Sequence, residues 1–126
     1  AQFDTIKNIA EKESCVIVGR CADYALANNP DVINVFVRAD LEDRIKIISK
    51  RLDLTENKAK DMILKNDKQR ASYYNYYTSK KWGDTSSYDL TINTSKISVD
   101  NAVDLILDFR KYMDAKKCAG IELSEK

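Results

Sequence analysis

Residues 15–18 (Cys, Val, Ile, Val) form a short apolar run with no polar alternation, and residues 32–37 repeat the pattern. A strand that is apolar on both faces belongs inside a covered sheet, and sheets of that kind are parallel, with helices as their crossovers. The rest of the chain fits that reading. Phe3, Ile6, Ile9 and Ala10 recur at helical spacing before the first run, and a short helix starting near Cys21 ends before Pro30. Leu41, Ile45, Ile48 and Leu52 mark one face of a third helix. Thr55 is placed to cap a longer one that carries Ala59, Met62, Ile63, Tyr73, Tyr74 and Tyr77 and ends near residues 78–83. Residues 88–94 read as a third strand, and Ser98 caps a last helix with Val99, Ala102, Val103, Ile106, Phe109 and Met113 on its apolar face. The expected fold is therefore α/β: a parallel sheet covered by helices on both sides, with strands near 15–19, 32–38 and 88–94. It forms one domain over residues 1–117, and residues 118–126 are a frayed tail.

Composition narrows the chemistry. The chain has 126 residues, and its 21 Lys and Arg against 20 Asp and Glu leave a net charge of +1, too balanced for wholesale binding of a nucleic-acid backbone. Cys15, Cys21 and Cys118 form no C-x-x-C pair, and no apolar run is long enough for a membrane span. A reduced, cytoplasmic setting is expected. With no histidine, His-based triads and the commonest zinc ligand sets are excluded. Catalysis would rest on Arg, Lys and Asp.

Three places could carry such chemistry. Arg20 follows Gly19 at the end of the first apolar run, where α/β proteins present ligand-binding residues. Its planar fork suits a phosphate, or it pairs with Asp23 and finishes a helix start. Asp67 and Arg70 lie three apart on the stripe that holds Ile63 and Tyr74, so they pair with each other or close over a ligand. Arg44, Lys46, Lys50 and Arg51 crowd the third helix, either as a solvated basic face or as cations that close over a phosphate donor. Residues 65–82 are also dense in Tyr and Lys, which suits a contact surface for a partner chain.

Several segments together resemble the cytidylate-kinase-like family of nucleoside monophosphate kinases: VIVGRCAD at 16–23, LEDRI at 41–45, DKQR at 67–70 with Tyr73 and Tyr74, WGD at 82–84, and YDLTINTS at 88–95. The resemblance implies a P-loop kinase type of fold with a helical lid near 41–79, and transfer of a phosphoryl group from ATP with Mg2+ to a CMP-like acceptor. It implies that Arg20 binds the acceptor phosphate with support from Asp23, that Lys68 and Arg70 are the catalytic cations of the lid, and that Asp67 orients the lid or the acceptor base. Arg44, Arg51 and Tyr74 would be further lid contacts. The family pattern also begins with a glycine-rich phosphate loop on a first strand that lies between two strands present here. Among three glycines (Gly19, Gly83 and Gly120) no such loop is encoded. Residues 1–126 alone are therefore expected to be inactive and prone to self-association or strand exchange. The competing readings are a non-catalytic α/β binding or assembly module that uses residues 65–82, and another small-molecule P-loop kinase of the dephospho-coenzyme A type.

Overall fold

The structure is a computed structural model that describes residues 2–19 and 21–118. Among the described residues five α-helices and two strands follow one another: α1 (Gln2–Lys12), α2 (Ala22–Ala25), β1 (Val35–Arg38), α3 (Leu41–Leu52), α4 (Glu56–Thr78), β2 (Leu90–Asn93) and α5 (Val99–Cys118), with a 3-10 turn at Thr85–Ser87 before β2. The two strands pair in parallel, with Val35 opposite Leu90 and Arg38 opposite Asn93. Side-chain bonds extend the pairing beyond both ends. Asn34 N–H donates to Asp89 at 2.8 Å, and Asp40 N–H donates to Ser95 Oγ at 2.8 Å. A parallel pair needs a long crossover, which α3 and α4 supply.

The periodicity places α1, α3, α4 and α5 as expected, and Thr55 and Ser98 cap the starts of α4 and α5, whereas α2 ends at Ala25, short of the stop expected before Pro30. Thr55 Oγ1 accepts from Lys58 N–H at 3.3 Å at the start of α4, and Ser98 Oγ accepts from Asn101 N–H at 3.1 Å at the start of α5. α3 stops at Asp53, whose φ of 53° lies in the left-handed region, and α4 stops at Ser79 with φ 57°. α3 and α4 pack against each other, with Ala59 fully buried and Ile63 only 4% exposed on the seam. At 23 residues α4 is about 34 Å long. It also reaches α1 and α2 through an aromatic cluster in which Phe3 meets Tyr24 at 5.7 Å and Tyr77 at 6.4 Å between ring centroids.

The sheet is smaller than expected. Residues 15–18 form no strand, and among the described residues their backbone has no hydrogen-bonded partner. Val16 and Val18 are 93% and 86% exposed. The reason lies in how strands form: an apolar, β-branched sequence favours an extended chain, but only a neighbouring ladder satisfies its N–H and C=O groups. β1 gives one edge to β2, and no third strand among the described residues lies beside 15–18. Coverage of the sheet is also uneven, since Ile92 is buried while Val37, beside it in register, is 55% exposed. α5 continues to Cys118, one residue into the expected tail, and residues 119–126 lie outside the described residues.

Candidate functional site

α3 starts three residues after β1, so its first turn lies at the carboxyl end of that strand, and Arg44 sits in that turn. From there its guanidinium crosses to α4. Arg44 Nη1 and Nη2 donate to Asp67 Oδ2 and Oδ1 at 2.7 and 2.8 Å, a two-pronged contact. Arg70 Nη1, one helical turn along α4, donates to the same Oδ1 at 3.1 Å. One carboxylate thus gathers two guanidinium groups from two helices. The hydrogen bonds from Arg44, reinforced by the charge of both arginines, hold the Asp67 carboxyl below its usual range, and the bond to Asp67 raises Arg44 in turn. The side chains of Asp67, Arg44 and Arg70 are 23%, 30% and 59% exposed, so the cluster is reachable from solvent. Beside it, a cleft of about 220 Å³ between α3 and α4 is lined by both arginines, Asn66 and apolar side chains that include Ile48 and Ile63. Two cations held together over one anion suit binding of a phosphate ester.

A second network surrounds Tyr74, which is buried at 6% exposure. Its hydroxyl donates to Asp23 Oδ2 at 2.5 Å. Burial first, then the bond to Asp23, pushes the Tyr74 hydroxyl well above its ordinary range. Gly83 N–H donates to Tyr88 at 3.4 Å, and Phe36 on β1 packs against Trp82 and Tyr88 at 5.4 and 4.8 Å between centroids. Asp23 therefore ties α2 to α4. Tyr74 is a buried strut of that connection, not an exposed contact of the hairpin.

Lys68 and Arg51 stand apart from the arginine cluster. Lys68 is exposed and lies two residues from Arg70, a spacing at which helical side chains do not share a face. Arg51 is exposed in the last turn of α3. Neither has an ion-pair partner among the described residues. Arg20 lies outside the described residues. The pairing of Arg44 with Asp67 was not read from the sequence; the signal for it is an antiparallel hairpin about the turn at residues 53–55, which brings the two within reach to within about one helical turn. The Tyr74 to Asp23 bond, across 51 residues, carries no such signal. Among the described residues no group of three or more His, Cys, Asp or Glu could hold a metal ion, and no helix is long and apolar enough to cross a membrane.

Fold and cluster together define a helix-rich α/β domain with a parallel strand pair, crossed over by a helical hairpin that presents two guanidinium groups. The model of the cytidylate kinase-like family matches residues 1–96, and this chain belongs to that family. It is 34% identical over 101 residues to the cytidylate kinase of Staphylothermus marinus, a match covering 79% of this chain and 56% of that protein. It is 27% identical over 105 residues to the cytidylate kinase of Sulfolobus acidocaldarius, covering 83% and 57%. The crystal structure of an uncharacterized protein from Eubacterium ventriosum superposes with a TM-score of 0.82 at 42% identity, covering 90% of this chain and 63% of that one. The chain spans little more than half the length of the cytidylate kinases it matches.

Proposed function

We propose that the full-length protein transfers a phosphoryl group from ATP to a nucleoside monophosphate of the CMP type, and that the α3–α4 hairpin supplies cations to that transfer. The observation that carries this reading is the meeting of Arg44 and Arg70, from two helices, on one partly exposed carboxylate in a chain of the cytidylate kinase-like family. Phosphoryl transfer is largely positioning and neutralisation of charge on the moving group. Arg70, the more exposed of the two, is placed to meet phosphate oxygens with its free N–H groups, and Arg44, which also ties α3 to α4 through Asp67, offers the second guanidinium. ATP phosphates fit such a pair. Mg2+ finds no ligand cluster among the described residues, so no step is assigned to it. The backbone cradle for the terminal phosphates is not encoded within residues 1–126, which contain three isolated glycines. Residues 1–126 alone are accordingly proposed to be inactive.

The test is a coupled assay with ATP and CMP on the full-length protein and its Arg70→Ala variant. Loss of one preorganised donor to developing charge lowers kcat by about 10²-fold. An exposed ion pair contributes less than about 1 kcal/mol to stability, so the melting temperature should move little. Full turnover by Arg70→Ala would remove the hairpin from the reaction, and an absence of CMP-dependent turnover in the wild type would refute the acceptor assignment.

A further inference from the structure

We infer that Asp67 is a built-in stand-in for the phosphate: it fills the fork of Arg44 and one N–H of Arg70, and an incoming polyphosphate has to displace it. The inference rests on the reading of the two arginines as phosphate ligands. The head-on edge of a guanidinium, Nη1 beside Nη2, matches the two oxygens of a carboxylate or of a phosphate equally well. In this structure both of those nitrogens of Arg44 are committed to Asp67 at 2.7 and 2.8 Å. The same bond therefore cannot serve a ligand while the contact persists.

Three features show that the contact is built to exchange. Asp67 is partly exposed, so the released carboxylate passes into water and is not stranded in an apolar core. Arg70 holds Asp67 through one longer bond of 3.1 Å and is the most exposed of the three, so it lets go first and makes the first contact with the ligand. A phosphate group also carries up to two negative charges against one on the carboxylate, which favours the ligand once it is bound. The Arg44 to Asp67 contact bridges α3 and α4, and the apolar seam around Ala59 and Ile63 holds the two helices together while it exchanges.

The experiment titrates inorganic tripolyphosphate into the full-length protein by calorimetry. Asp67→Asn and Asp67→Ser remove the competing charge, and both should bind about tenfold more tightly than the wild type, the scale of one charge-assisted hydrogen bond. The gain should vanish when Arg44→Ala is added. Unchanged or weaker binding in both variants overturns the stand-in. If Arg44→Ala and Arg70→Ala still weaken binding, the phosphate-ligand reading survives that result; if neither does, it falls too. A second measurement uses the wild type alone: on saturation with tripolyphosphate, the Arg44 guanidinium and Asp67 carboxyl NMR signals should both move, the latter toward a solvated carboxylate. Signals that stay in place also overturn the inference.

Discussion

Replacing Tyr74 with Phe removes one oxygen from a buried group that joins two helices and leaves the ring in place. That hydroxyl donates to Asp23, across 51 residues, at 2.5 Å. The bond to a charged acceptor is of the class that contributes about 1.5 to 3 kcal/mol. No cavity forms, because only the oxygen is lost, and Asp23 is half-buried, so water partly replaces its donor. The net loss therefore falls at the low end, about 1.5 to 2 kcal/mol, which lowers the melting temperature of a domain this size by roughly 4 to 8 °C. Trp82, the one tryptophan, packs on Phe36 beside this network and reports its unfolding by fluorescence during urea titration. A double-mutant cycle with Asp23→Ala should return a coupling of at least about 1 kcal/mol. If Tyr74→Phe unfolds within about 0.5 kcal/mol of the wild type, the network is not what joins α2 to α4.

Three further outcomes are expected. Asp67 has a folded-state pKa below its ordinary 3.8, so its contribution to stability is complete above that value and is lost as pH falls through the lower folded one. Urea midpoints from pH 7 to pH 2 should therefore drop less steeply in Asp67→Asn than in the wild type, and parallel curves would refute this. Ile63→Ala, on the α3–α4 seam at 4% exposure, should cost about 2 to 4 kcal/mol, and a loss under about 1 kcal/mol would show that the seam is not packed. Gly83 has φ +83°, and a Cβ there would meet Phe36 at an ordinary 3.7 Å, so Gly83→Ala should cost about 1 to 2 kcal/mol from the backbone alone. A Gly83→Ala variant as stable as the wild type would refute that assignment.

Local features of the sequence translated directly into structure. Helical periodicity and the capping residues Thr55 and Ser98 depend on neighbours a turn away, and α3, α4 and α5 formed where those signals placed them. The strand expected at residues 15–18 depends on a ladder partner elsewhere, and an apolar run says nothing of whether that partner is present. The candidate site divides in the same way. The pairing of Asp67 with Arg70 follows from a spacing of three on one helix. The stronger bond from Arg44 comes from the hairpin register, and Tyr74 reaches Asp23 only through the tertiary fold.

The parallel register of β1 and β2 also bears on the order in which the chain assembles. Val35 and Leu90 meet across 55 residues, and closing a flexible loop of that length carries a length-dependent entropy cost of about 3.6 kcal/mol. The α3–α4 hairpin closes across the short turn at residues 53–55 and forms from local contacts. Once formed, it shortens the effective separation between the two strands, because most of the intervening chain is already ordered. The segment that carries the arginine cluster thus acts as a kinetic scaffold for the sheet, and contact order predicts that weakening the hairpin slows strand pairing as well as destabilising the helices.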